Sequence, residues 1–585
     1  MAGDQPIGSI LVADCGTHMT KVVLLDRVAG QYRFIACGES PTTVEAPWHD
    51  LSAGIRHALQ QVSDVTGRRF FDDDGDLITP ESSSREGVDI FAGTVSAGQP
   101  LRIVLGGLVH DLSVMSGLRA AAGTYSQVRA ILEADGKGGL SDQEQVVRIH
   151  RAQPEVICIV GGTDGGAEEP ILELVEVATW AAALQRSGRP PHILYMGNSQ
   201  LRKQVADIIA GKAELHVADN VRPSVEREDI TGAQMELDNI YVRENLGVLP
   251  GVDTIEEWSG VPLVPTARAF ARVVEYLWHL GDPNRGVIGL DLGAANLTLA
   301  AAFDGQVSLS VRSDLGQAYC GEYVMRKRGV EAITRWLPDE MVEAEVSGYF
   351  INKQTHPLTI PQDVEEQRLD YAVAREAISI ALEAAQPGWH PSAVAAADGK
   401  LLPFCDTILV SGSLLSHAPR PGQAALAVLD ALQPVGVTTI VVDSHALAPA
   451  LGNVALIKPL VSVEVLDNGG FANLVTVVTP VGAARKGDTV LRVRVTYSGG
   501  SSFGVEVHYG DLEVLPLLPG QQAELDLRPL RRFDVGFGPG RSGKRRVNGG
   551  MLGLIIDARG RPLELSLDSR KRREQVKRWL WDVGG

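Results

Sequence analysis

Cysteine is scarce in this 585-residue chain: there are five, Cys15, Cys37, Cys158, Cys320 and Cys405, and no two form a Cys-x-x-Cys pair. An odd, dispersed set supports neither a disulfide framework nor a zinc knuckle, and it suits a reducing compartment. Basic charge is also in deficit, with Lys and Arg numbering 54 against 72 Asp and Glu, for a formal net charge of −18. That balance argues against a nucleic acid or an anionic membrane as partner. No apolar run approaches the roughly 18 residues of a membrane span, so no membrane anchoring is expected. The first residues lack a basic segment, an apolar stretch and a cleavage site, so no signal peptide is expected and the cytoplasm is the expected compartment.

What the chain does have is one glycine turn in two copies. The first reads Leu11-Val-Ala-Asp14-Cys-Gly16-Thr17-His-Met-Thr20-Lys21-Val-Val-Leu-Leu25. The second reads Val287-Ile-Gly-Leu-Asp291-Leu-Gly293-Ala-Ala-Asn-Leu-Thr298-Leu-Ala-Ala. Each is an apolar strand, an Asp-x-Gly turn and a second apolar strand. Such a turn lets backbone N–H groups approach a phosphate, with a carboxylate beside it. Two of them facing each other would clamp a nucleoside triphosphate.

Length calls for several domains. Residues 1–98 open with three strands around the first turn. Residues 99–225 alternate strand and helix, the pattern of a parallel sheet with helices on both faces. They carry Gly161-Gly-Thr163-Asp164-Gly-Gly166 at a strand end, which lacks both the G-x-G-x-x-G order and a Walker lysine and so reads first as a tight turn into a helix. Residues 226–460 hold the second Asp-x-Gly turn and a strand entering Ser411-Gly412-Ser413. From 461 to 585 short alternating strands predominate, beginning with Val461–Leu466, and a terminal helix is expected near Arg570–Trp581. The basic glycine loop Gly536–Arg546 reads as a solvated hairpin before a phosphate contact.

The ordered set of Asp14 turn, Asp291 turn and Ser411-Gly412-Ser413 turn resembles the actin/Hsp70/sugar-kinase ATPase superfamily. The implied fold is a two-lobed α/β ATPase with ribonuclease H-like lobes, an inserted flavodoxin-like α/β domain and a C-terminal all-β domain. Within that superfamily the chain is similar to the MutL/GlmL family of glutamate mutase accessory proteins, distinct from the mismatch-repair protein called MutL. The similarity runs through Gly161–Gly166, Gly197-Asn198, Asp219-Asn220-Val221-x-Pro223, Leu432-Gln-Pro434-Val-Gly436-Val-Thr438, Asp443 and Leu451-Gly452.

The resemblance implies an ATP-binding accessory or reactivating protein for an adenosylcobalamin-dependent mutase, with the mutase subunits as partners, ATP and Mg²⁺ as cofactors, and self-association left open. It implies Asp14 at the metal end of the triphosphate and Asp291 orienting an attacking water. Gly16 and Gly293 allow close approach; Thr17, Thr20, Lys21 and Thr298 face the phosphates; Gly412 and Ser413 lie against the nucleoside. The sequence departs from the family where Asp-Ile-Gly-Gly-Ala-Thr-Thr-Asp is usual: Ala294 replaces the second glycine, Asn296 and Leu297 the two hydroxyl residues and Thr298 the final aspartate, and His18 and Met19 stand in the first turn. Binding survives such changes more easily than hydrolysis, so a slow ATPase and a nucleotide-gated scaffold both stay open. The alternatives are a small-molecule kinase, a hydantoinase/oxoprolinase-like enzyme, or an actin-like assembly protein without catalysis. No Asp-x-His-x-x-Gly occurs to supply an axial ligand to cobalamin.

Overall fold

The computed structural model describes residues 7–134, 140–185, 189–259, 261–389 and 401–584. The chain divides into two compact units, one of Met1–Val95, Thr254–Leu309 and Asp314–Gly585, the other of Ser96–Asp253 with Ser310–Ser313. The first unit opens with β1 (Ile10–Cys15), β2 (Met19–Val28), β3 (Gln31–Pro41) and β4 (Ile90–Val95). β1 is buried at every position but Asp14, as expected of a central strand covered on both faces. It pairs antiparallel with β2 and parallel with β4.

In the second unit lie β5 (Leu101–Gly107), β6 (Ser126–Glu133), β7 (Val156–Ile159), β8 (His192–Tyr195) and β9 (Leu215–Val217). All are parallel, in the order β6-β5-β7-β8-β9, which is the flavodoxin-like order. The wholly buried β7 and β8 form its centre. The glycine turn after β7 is tied down by its own neighbours: Asn198 Oδ1 accepts from the Gly165 N–H at 3.2 Å, and Asp164 Oδ1 accepts from Asn220 Nδ2 and the Ser199 N–H at 2.9 Å each.

Back in the first unit, β10 (Val264–Pro265) pairs parallel with β4 and completes a sheet of order β10-β4-β1-β2-β3. A second set follows: β11 (Gly286–Leu292), β12 (Leu297–Phe303), β13 (Gln306–Arg312), β14 (Cys405–Ser411) and β15 (Gly436–Val442). Its order, β13-β12-β11-β14-β15, repeats the first sheet strand for strand. β11 is again antiparallel to its hairpin partner β12 and parallel to the strand on its other side, β14. The unit is therefore a duplicated ribonuclease H-like fold. Helices Thr266–Leu280 and Leu447–Ile457 cross within it at Gly452, where a Cβ would come within 1.8 Å of the Ala269 carbonyl oxygen.

The remaining strands are β16 (Ala472–Thr479), β17 (Thr489–Tyr497), β18 (Ser502–His508), β19 (Leu512–Leu515), β20 (Gln522–Pro529), β21 (Gly543–Asn548) and β22 (Leu554–Asp557). β16, β22 and β19 extend the second sheet beyond β15, while β18-β17-β20-β21 form an antiparallel sheet. Val437 and Val478 of the large sheet share one core with Val493, Leu525 and Phe533, so this β region is built onto the second lobe. Lys544, from the basic loop, pairs with Glu524 across the β20–β21 hairpin, and Arg545 reaches Asp406. The segment expected as a strand at 461–466 is instead part of the helix Pro459–Asp467. Proline at its first turn and the Ser462 hydroxyl, donating to the Leu451 carbonyl at 2.7 Å, favour helix over local β propensity. The terminal helix runs Ser569–Asp582, capped by the Asp568 side chain.

A buried ionic network closes this region. Asp557, at the end of β22, accepts from Arg559 and Arg561, and Arg559 and Arg375 both donate to Asp430 on the helix Pro421–Leu432. Burial raises the Asp557 carboxyl, but the charges of Arg559 and Arg561 overcome it and hold the group well below the usual carboxylate range. Removing one member of such a network strands the others in a poor solvent. Asp557→Asn should cost about 3–5 kcal/mol, read as a lowered denaturant midpoint. Because the folded pKa is depressed, this contribution is present at neutral pH and is lost in acid, and the variant's acid unfolding should be correspondingly flatter; an unchanged midpoint would refute the role.

Candidate functional site

The two Asp-x-Gly turns have the same local geometry. The Gly16 N–H donates to the Met19 carbonyl at 3.0 Å, and the Gly293 N–H donates to the Asn296 carbonyl at 2.9 Å. A Cβ on Gly16 would lie 2.7 Å from the Met19 oxygen, so close approach, rather than a special φ, demands glycine there. Across each hairpin the acidic residue faces a fixed partner: Asp14 opposes Lys21, and Asp291 opposes Thr298. Directly opposed residues share a face of the sheet.

Asp14 is half-buried, and its Oδ1 accepts from the hydroxyls of Thr94 on β4 and Thr266, each at 2.7 Å. Burial raises its pKa, against the lowering effect of those two hydroxyls and of Lys21. Asp291 is raised too, to about 7, first by burial, then by the charges of Asp14 and Asp443, with Lys21 and the Ser411 hydroxyl opposing. Asp443, after β15, accepts backbone N–H bonds from Leu447 and Ala448 at 2.8 Å each and so caps the helix Leu447–Ile457. Burial raises Asp443 too, partly offset by those amides and by Lys21. Three carboxylates thus stand within electrostatic reach of one ammonium group.

The third turn locks against the second. Gly412 has φ of +94°, and a Cβ there would fall 2.1 Å from the Leu292 carbonyl oxygen, so only glycine fits. Ser413, exposed, opens the short helix Ser413–Ser416. The carbonyls of Gly293 and Ala294 accept from the N–H groups of Gln317 and Ala318 at 3.0 and 2.9 Å, which fixes the second turn from behind. His18 Nε2 lies 2.9 Å from the Tyr319 hydroxyl, joining the first turn to this same loop.

Of the residues expected in the site, Asp14, Lys21 and Asp291 are brought together, with Gly16, Thr17 and Gly293 in the turns beside them. Thr20 is not: it is fully buried, opposes Cys15, and its hydroxyl lies 3.0 Å from that of Thr42. Thr20 and Lys21 are consecutive on a strand and therefore point to opposite faces, so both cannot face one phosphate. Thr298 is buried beneath Asp291 at 2% exposure. Thr94 and Thr266 carry no local signal, while Ser411 and Asp443 stand in the sequence as motif residues without a site role, although Asp443 repeats the signal of a strand ending in aspartate before a helix.

The duplicated sheet, with an Asp-x-Gly turn in each half, defines the actin-like ATPase fold. Residues 10–469 match the model of the MutL protein family, and the chain belongs to that family, in its glutamate mutase-type sense. The curated Protein MutL of Clostridium tetanomorphum is 24% identical over 438 residues, 71% of this chain and 87% of that one. Among solved structures, the nucleotide-free diol dehydratase-reactivating factor aligns at TM-score 0.29 and 10% identity, covering 79% of this chain and 100% of its own. Glycerol dehydratase reactivase aligns at 0.27 and 10%, covering 72% and 94%. These superpositions are distant; the fold assignment rests on the strand order described above.

Asp291 also carries a pH signature. Its folded pKa of about 7 stands above the ordinary 3.8, so the folded protein holds a proton that the unfolded chain releases between those values. Stability from this group is full below 3.8 and falls as pH rises to about 7. Asp291→Asn should therefore be increasingly stabilising relative to the parent as pH is raised from 5 to about 8, read by thermal melts. A pH-independent difference would place the charge repulsion elsewhere.

Proposed function

We propose that this chain is an ATP-binding accessory factor that reactivates an adenosylcobalamin-dependent mutase in the cytoplasm. The observation that carries the nucleotide part is the convergence of Asp14, Asp291 and Asp443 on Lys21 at the ends of duplicated hairpins. The residues fit Mg²⁺ with a triphosphate: carboxylate oxygens suit a hard cation that retains water, and Lys21 supplies a charge for phosphate. Asp14 and Asp443 would hold the hydrated ion, and Lys21 with the Gly16 and Thr17 backbone would face the phosphates. Gly412 and Ser413 would border the nucleoside. When bound, Mg²⁺ would neutralise charge on the phosphates.

Within the chain, Asp291 has a pKa suited to accepting a proton from a water near neutral pH. A second reading, a nucleotide-gated scaffold with weak hydrolysis, is favoured by one observation. The second turn has Ala294, Asn296 and Leu297 where hydroxyl side chains could donate, and its Gly293 N–H is already given to the Asn296 carbonyl, so it has few donors to offer a transition state. Membership of the MutL family supports the mutase as partner. Radical mutases lose their adenosyl group in side reactions, and a nucleotide-biased clamp is a bistable element able to open such an enzyme for cofactor exchange.

Asp14→Ala should abolish the thermal shift produced by Mg-ATP; a retained shift would sink the site. Asp291→Asn should lower hydrolysis at least about 100-fold while changing ATP affinity less than about fivefold; equal losses would remove its water-orienting role. Added to a mutase inactivated by loss of its adenosyl group, the chain with Mg-ATP and fresh adenosylcobalamin should restore turnover, and Asp14→Ala should not. Failure of every adenosylcobalamin mutase tried, with ATP binding intact, would leave the nucleotide site standing and remove the partner.

A further inference from the structure

The second unit carries a cluster that the nucleotide site does not use. Residues two apart on a strand share a face, so Glu214, just before β9, and His216 on β9 project the same way. The parallel register with β8 sets Ile193 against Leu215, and the Ile193 N–H donates to the Glu214 carbonyl at 2.9 Å, which puts His192 alongside the pair. His192 Nδ1 lies 3.3 Å from His216 Nε2. Glu214 Oε2 is 3.4 Å from His192 Nδ1, and Glu214 Oε1 is 3.4 Å from His216 Nε2. The Glu214 carboxylate lies across both imidazoles, Oε2 towards His192 and Oε1 towards His216, so the three groups form a compact triangle whose ligand atoms all lie within 4.8 Å of one another. Ligand atoms on a tetrahedral ion with bonds of about 2.0–2.1 Å are about 3.3 Å apart, so the two imidazole nitrogens already stand at the spacing of one edge of such a tetrahedron, and one Glu214 oxygen has only to close onto it.

The far nitrogens of both rings face carboxylates. His216 Nδ1 lies 2.7 Å from Glu236 Oε1 on the helix Thr231–Tyr241, and His192 Nε2 lies 3.5 Å from Glu244 Oε1. A ring whose outer nitrogen donates to a carboxylate turns a lone pair inward from the other. With its Nδ1 proton given to Glu236, His216 turns its Nε2 lone pair towards His192 Nδ1 and the Glu214 carboxylate, where a bound cation would be shared by all three. Carboxylates behind metal-bound histidines do this work in metal centres. Arg243 brings a cation to the rim: its Nη2 is 3.0 Å from Glu214 Oε1 and 3.5 Å from His216 Nε2, while its Nε bonds Glu244 at 2.9 Å. It is half-exposed and can swing aside.

From this triangle we infer that His192, Glu214 and His216 bind one divalent transition-metal ion of the zinc class in the inserted unit, with a fourth position for water or an external ligand. The set of two imidazoles and a carboxylate selects Zn²⁺, Co²⁺, Ni²⁺ or Cu²⁺ over Mg²⁺ and Ca²⁺. The site is independent of the nucleotide reading, since it shares no residue with it.

The test uses the full-length, untagged chain stripped with chelator and titrated with Co²⁺ and Zn²⁺. One Co²⁺ per chain should give the intense visible bands of a four-coordinate site, displaced by Zn²⁺, and the same should hold in Asp14→Ala, whose carboxylate pocket is thereby disabled. His216→Ala and His192→Ala should each weaken binding at least about 100-fold, and Glu236→Gln about 10-fold. Arg243→Ala, which removes the competing cation and leaves every ligand in place, should tighten binding several-fold. Weak six-coordinate Co²⁺ spectra, bands that persist in the double histidine variant, or Arg243→Ala binding no tighter than the parent would overturn the site.

Discussion

Like charges held close together repel unless something of opposite sign lies between them, and Asp14, Asp291 and Asp443 stand in that relation around Lys21. The surrounding architecture keeps them there. Asp14 is pinned by two threonine hydroxyls from different elements, Asp443 by the first amides of a helix, and Asp291 by Ser411 on the neighbouring strand. The protein carries an electrostatic debt that Lys21 does not cover. A proton on Asp291 relieves part of it, and a hydrated divalent cation would relieve more.

The duplicated sheet makes the comparison between lobes quantitative, position by position. Asp14 and Asp291 occupy equivalent places on β1 and β11, and their cross-strand partners are a lysine in one lobe and a threonine in the other. One half therefore contributes charge for an anion, while the other contributes a carboxylate with a shifted pKa and a rigid turn. The asymmetry is chemical, since the backbone hydrogen bonds of the two turns differ by only 0.1 Å, 3.0 against 2.9.

Much of this was legible in the sequence. Aspartate and glycine at the ends of apolar strands gave both turns, strand–helix alternation gave the parallel insertion, the order of the turns gave the superfamily, and the motifs from Gly161–Gly166 to Leu451-Gly452 gave the family. What was not legible arises from pairing between distant segments. Thr94 and Thr266 matter only because β4 and the helix Thr266–Leu280 both reach Asp14. Thr20 and Lys21 alternate across β2, so only Lys21 shares the face of Asp14 and Thr20 turns into the core. Val461–Leu466 has the composition of a strand, and its neighbours made it a helix. The extension of the second sheet by β16, β22 and β19 depends on contacts that no local pattern announces.

That extension changes how the molecule would respond to load. The family match stops at residue 469, yet β16, β22 and β19 beyond it are hydrogen-bonded in one continuous rank with β11 and β14, which carry the second and third turns. At the far end Arg559 stacks on Trp579 at 4.6 Å, and a Cβ on Gly422 would meet the Val583 carbonyl oxygen at 2.0 Å, so the terminal helix is seated against the same lobe. A sheet is stiff across its hydrogen bonds. A shift of β14 at the third turn would therefore be carried across β15 to β16, β22 and β19 at the C-terminal rim.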